Sequence, residues 1–144
     1  MPQGVVGLIP TDPYLAGLVD GEGSIGLYRT GGKYFRPSLA IGMVGSKEQA
    51  VLQQLARLHG GQFRTEYRQD GQIVHRWTLT TVKTIEPVLR RLIPHLLLKQ
   101  DQAKLLLHWC HLPSSMKHGE YATKISEELK HIKASTKGRK EKAK

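Results

Sequence analysis

The chain has 144 residues and a formal net charge of +10, with 22 Lys and Arg against 12 Asp and Glu. With 39% apolar residues it can bury one ordinary core, which excludes a disordered basic tail as the whole molecule. No apolar run is long enough to span a membrane, the first residues lack a signal pattern, and the lone Cys110 excludes an internal disulfide.

The lone cysteine also points to an intracellular, reducing compartment. Asn is absent, so neither an N-glycosylation acceptor nor a His-Asn-His nuclease site can be built. Charge is unevenly spread. Residues 1–27 hold Asp12, Asp20 and Glu22 with no Lys or Arg, whereas residues 28–83 carry +6 and residues 117–144 carry +5. An acidic island at the head of a basic chain suggests a cation-binding spot beside a surface for a polyanion.

In chain order, Thr11-Asp12-Pro13 is a helix start, and Tyr14 to Asp20 reads as a short helix ended by Gly21. From Gly23 to Thr30 the period switches to two, with Ile25 and Leu27 inward and Ser24, Gly26, Tyr28 and Thr30 outward. Gly31-Gly32 turns the chain into a second strand, Arg36 to Met43, whose outward residues are Arg36, Ser38, Ala40 and Gly42. Ser46 and Gln49 have capping-box spacing before a helical stripe of Val51, Leu52, Leu55 and Leu58 closed by Gly60-Gly61. A second hairpin joins Gln62–Arg68 to Ile73–Thr80 through Asp70-Gly71. Phe63, Trp77 and Leu79 face the core there, and Gln62, Arg64, Glu66, Arg68, Arg76 and Thr78 face out.

Helical periodicity returns at Thr84–Ile93 until Pro94, again from Lys99 or Gln100 to His111, and last along Tyr121, Ile125, Leu129 and Ile132. The expected fold is α+β: a four-stranded antiparallel sheet with helices on one face, in one domain over residues 1–134, followed by a basic flexible tail at 135–144. The outer sheet face interleaves arginines with polar side chains, a pattern suited to double-stranded DNA.

The helix-to-strand junction Leu15-Ala16-Gly17-Leu18-Val19-Asp20-Gly21-Glu22-Gly23 resembles the signature of the LAGLIDADG homing endonucleases. Val, Gly and Glu stand where the name has Ile, Ala and Asp. The helix-hairpin-helix-hairpin-helix order and the stretch Leu98-Lys99-Gln100-Asp101-Gln102-Ala103 are similar to single-motif members as well. The resemblance implies a homodimer that makes a double-strand break in a long, pseudo-palindromic DNA site, with Mg²⁺ as cofactor. Mn²⁺ would be another hard divalent ion, and Ca²⁺ a non-productive occupant. It puts Glu22 on the metal-binding acid, the Gly21 carbonyl beside it, Asp20 in a supporting role and Lys99 on a basic catalytic position. A third active-site position, often Gln in the family, falls near Gly45 or Ser46, where neither residue matches; Gln49 takes it only if the helix start is shifted.

Read for their own physics, Gly17 and Gly21 lie four apart on one helical face, where small residues let two helices approach closely. Leu15, Ala16, Gly17 and Leu18 are therefore the expected dimer interface. Two Glu22 carboxylates brought together repel unless a cation sits between them, and hard oxygen donors favour Mg²⁺. The DNA-facing set is Ser24, Tyr28, Thr30, Arg36, Ser38, Gln62, Arg64, Arg68, Arg76 and Thr78. An RNA maturase that assists intron splicing, with intron RNA as partner, and a non-cleaving DNA-binding regulator are the alternatives on the same scaffold. The glycine pattern Gly21 to Gly26 has a helix before it and a strand after it, the reverse of a dinucleotide site. His108, Cys110, His111 and His118 lack the further ligands of a zinc site.

Overall fold

The computed structural model describes the backbone of residues 10–142 and the side chains of residues 10–133. Helix α1 spans Asp12–Glu22, with the Thr11 hydroxyl accepting the Tyr14 N–H at 3.4 Å. It runs through Gly21 rather than ending there, and stops where Gly23 opens strand β1, Gly23–Thr30. A Cβ at Gly23 would lie 2.7 Å from the Val19 carbonyl oxygen, so this helix-to-strand turn leaves no space for a side chain.

Strand β2, Tyr34–Met43, starts two residues before the expected Arg36 and pairs antiparallel with β1. Strands β3, Gln62–Tyr67, and β4, Ile73–Leu79, form the second hairpin. The sheet order is β1-β2-β4-β3, so the two hairpins lie side by side with β1 and β3 at the edges. The register aligns Ile25 with Leu39 and Leu39 with Leu79, and lines up Ile41, Trp77 and Phe63. All of these are fully buried except Phe63, which is half-buried at the edge. Each fully buried aliphatic side chain of this kind contributes about 1.5–3 kcal/mol.

Helix α2, Ser46–His59, covers the inner face with Leu52 and Leu55, and Trp77 Nε1 donates to the Gly60 carbonyl at its end. Leu58, expected in the same stripe, is 48% exposed. The expected capping box is also corrected. Ser46 is the first helical residue, and the cap is Gly45, whose side-chain-free backbone sits at φ +117°. The Glu48 carboxylate lies where a Gly45 Cβ would be.

Helix α3, Val82–Leu92, is capped by Thr81 and followed by a 3₁₀ turn at Ile93–His95. Helix α4 spans Gln100–Cys110, and a 3₁₀ turn at Ser114–Met116 leads to α5, Glu120–Lys142. The last helix therefore continues across the boundary expected between domain and flexible tail at 134/135. It runs beside the edge strand: Thr123 accepts from Arg29 at 3.0 Å, and the Ser126 hydroxyl donates to the Leu27 carbonyl at 2.7 Å. No helix among the described residues is long and apolar enough to cross a membrane.

Candidate active site and nucleic-acid interface

The C-terminal end of α1 gathers the acidic and basic residues that the motif singles out. The Asp20 carboxylate accepts three main-chain N–H groups, from Leu97 at 2.7 Å, Leu98 at 3.1 Å and Lys99 at 3.0 Å. A carboxylate that accepts three N–H groups docks the 97–99 segment against the end of α1. In return the Lys99 ammonium donates to the Asp20 carbonyl oxygen at 2.7 Å, a favourable place for a cation because helix carbonyls end there. Lys99 is thus delivered to the same helix end as Gly21 and Glu22 by a segment nearly eighty residues away in sequence.

Glu22 is exposed, and among the described residues its carboxylate makes no hydrogen bond or ion pair. A carboxylate and a neighbouring main-chain carbonyl are hard oxygen donors, which suits Mg²⁺. This helix end offers two such donors against the roughly six oxygens of an octahedral ion. Among the described residues no three His, Cys, Asp or Glu side chains converge as metal ligands. The histidines weighed for zinc have other partners: His108 with Tyr121 at 2.9 Å, His111 with Glu86 at 3.0 Å, and His118 Nδ1 accepting the Phe35 N–H at 3.0 Å.

The three candidates for the third position, Gly45, Ser46 and Gln49, all lie at the start of α2. Gly23 pairs with Ile41, so β2 leaves the sheet beside the start of β1 and reaches Gly45 soon after. Gly45, Ser46 and Gln49 together line a cleft of about 570 Å³ that Thr65, Gln72 and His75 close from the second hairpin. His75 is buried there, with Nδ1 3.0 Å from the Thr65 hydroxyl.

The open face of α1 carries Tyr14, Gly17 and Gly21, with Leu18 half-buried beside them, and a Cβ built on either glycine meets nothing within 4 Å. Leu15 and Ala16, expected at the dimer interface, are instead 1% and 0% exposed within the protomer's own core. The reason is helical geometry, since they lie on the face opposite Gly17 and Gly21. Leu97 and Leu98, held to Asp20 by their N–H groups, are 88% and 76% exposed and extend this open apolar surface. Sequence reasoning gave Leu97 no role and named Leu98 only within the Lys99 stretch; their bonds to Asp20 fix the backbone of both at this helix end.

The ten residues read as DNA-facing fall mostly on one sheet face. The register aligns Tyr28 with Arg36, Gln62 with Thr78, and Arg64 with Arg76, and it places Ser24, Thr30 and Ser38 on the same side. Arg68 lies just past the end of β3, in the turn that leads to β4. Arg76 is paired with Glu66 at 2.9 Å, and that guanidinium holds the Glu66 carboxyl below the usual range. Arg29, counted in the basic stretch, points to the inner face. It stacks on Phe35 at 4.7 Å and donates to the Gly32 carbonyl.

A four-stranded β1-β2-β4-β3 sheet with helices packed on one face, an arginine-rich opposite face and a glycine-bearing helix ending in acids at its margin is the LAGLIDADG homing-endonuclease fold. The chain is similar to I-CvuI, a homing endonuclease seen in complex with uncleaved I-CreI target DNA in the presence of Mg. The TM-score is 0.67 and the identity 21%, over 84% of this chain and 80% of that one. It is similar to the archaeal intron-encoded I-Vdi141I complexed with DNA, with a TM-score of 0.66, 16% identity, and coverage of 84% and 82%. I-GzeII, in complex with its DNA target, aligns with a TM-score of 0.63 and 23% identity over 87% of this chain but 43% of its own. Neither protein-family models nor curated proteins give a match.

Proposed function

We propose that this chain is a site-specific DNA endonuclease of the single-motif LAGLIDADG type. As a homodimer it would bind a long pseudo-palindromic duplex and hydrolyse a phosphodiester in each strand. The observation that carries the reading is that Lys99 is bonded to the end of the glycine-bearing helix whose last residue is the exposed Glu22, on a fold whose far face is rich in arginine. Two copies joined along that helix bring two Glu22 carboxylates together at the two-fold axis, and their arginine faces form one continuous surface.

In this reading Glu22 and the Gly21 carbonyl hold the divalent ion. When bound, Mg²⁺ supplies charge that acidifies a water and neutralises a scissile phosphate. Lys99, fixed at the helix end by its bond to the Asp20 carbonyl, places a second positive charge where the phosphorane and the leaving oxygen develop negative charge. Asp20 does no chemistry; it anchors the segment that carries Lys99. Arginines of the sheet face read base edges, and Lys33 and Lys83 contact phosphates.

Glu22→Gln tests the assignment. The variant should bind duplex DNA as tightly as the native chain and lose cleavage with every divalent ion. The unmatched third position favours one other outcome, a DNA-binding protein that does not cut. The native chain would then bind a defined sequence and leave it intact with Mg²⁺ and Mn²⁺ alike.

A further inference from the structure

Among the described side chains of the last helix, one reaches onto the outer sheet face. Lys133 of α5 sends its ammonium to the Ser24 hydroxyl at 2.9 Å and to the Tyr28 hydroxyl at 3.1 Å. Tyr28 is folded back along its own strand, and the space for its ring exists because residue 26 is glycine. A Cβ there would stand 2.7 Å from the ring carbon Cε2 and closer still to the hydroxyl end. Tyr28 remains exposed and shares the face with Arg36, its cross-strand partner.

An ammonium only donates, so the oxygens of Ser24 and Tyr28 are both acceptors toward Lys133. Each hydroxyl must then turn its own hydrogen elsewhere. Partial burial alone would push the Tyr28 phenol up. The Lys133 hydrogen bond and charge, with Ser24 and Lys130, outweigh this and bring it below the ordinary tyrosine range. A phenol whose oxygen already accepts is a stronger and more directed donor. In the major groove guanine, adenine and thymine offer acceptors, whereas cytosine offers an amino donor.

We propose that Lys133 is a positioning residue for base readout: it locks Tyr28 over Gly26 as a hydrogen-bond donor, so that each half-site excludes cytosine at the base Tyr28 faces. This rests on the outer face being the DNA surface. It assigns to the last helix a role in sequence choice rather than in general attraction for phosphate.

The test is selection of bound duplexes from a fully randomised library by the full-length protein and by Tyr28→Phe, Lys133→Met and Lys133→Arg. The native chain should enrich a site that lacks cytosine at one symmetric position. Tyr28→Phe and Lys133→Met should each relax that same position by roughly tenfold and leave the others unchanged. The double variant should lose no more than either single one, and Lys133→Arg, which still donates to both hydroxyls, should keep the preference. The proposal is overturned if Lys133→Met weakens all sequences equally and lowers the salt slope by about one, the mark of a phosphate contact. It is equally overturned if Lys133→Met binds more tightly with unchanged preference, which would make Lys133 a blocking group. A native protein that enriches no sequence overturns the DNA reading itself, and this one with it.

Discussion

Asp20 and Lys99 hold each other through their main chains: the Asp20 carboxylate accepts the Lys99 N–H at 3.0 Å, and the Lys99 ammonium reaches the Asp20 carbonyl at 2.7 Å. Asp20→Ala strands three N–H groups of the 97–99 segment, a loss of about 2 kcal/mol of stability. Urea denaturation should register that loss. Cleavage should fall much further than the folded fraction does, because Lys99 is no longer held at the helix end that carries Glu22. Equal falls in both would reduce Asp20 to a purely structural anchor.

Gly17 has open space around it, and a larger residue there is compatible with the protomer. In a helix interior, replacing glycine by leucine even favours the helix by about 0.5–1 kcal/mol. Gly17→Leu should therefore keep or raise the melting temperature while turning the proposed dimer into a monomer, read by sedimentation or light scattering. A Gly17→Leu protein that stays dimeric would place the seam elsewhere.

Gly45 is one of the three candidates for the unmatched third position. Its φ of +117° is a conformation that side chains avoid, and the Glu48 carboxylate fills the space beside it. Gly45→Gln, which writes the family's usual residue into this position, should cost about 1–3 kcal/mol in thermal or chemical unfolding and should not raise activity. A more active and equally stable variant would show that the helix start can rearrange.

Burial pushes the Cys110 thiol up to about 11, above its ordinary value of 9.0. The folded chain keeps a proton that the unfolded chain releases, so stability falls as pH rises from about 9 through about 11. At pH 8 the buried, protonated thiol should resist a thiol-specific reagent in the native state and react fully in denaturant. Rapid labelling of native protein would mean that the α4 core opens locally.

Local rules carried most of the fold. The period-two pattern placed β1 to the residue, because Ile25 and Leu27 alternate cleanly with polar neighbours, and Asp70-Gly71 located the second hairpin. Capping chemistry found the Thr11 start but misassigned Ser46, since the neighbouring Gly45 adopts the cap with no side-chain bond at all. The site was legible as far as Glu22, Asp20 and Lys99 carried the motif. It was not legible where tertiary contacts decide: how Asp20 holds the segment of Leu97 and Leu98, and how Lys133 arrives at Tyr28 from more than a hundred residues away. Neither leaves a trace in local spacing.

The most direct test of the account is cleavage of a randomised duplex library by the native protein in Mg²⁺, with the ends of the products sequenced. The account predicts double-strand ends at one long pseudo-palindromic sequence, absent without divalent ion and absent for Glu22→Gln. A library left uncut with Mg²⁺ and Mn²⁺, or cut equally well by Glu22→Gln, would contradict it.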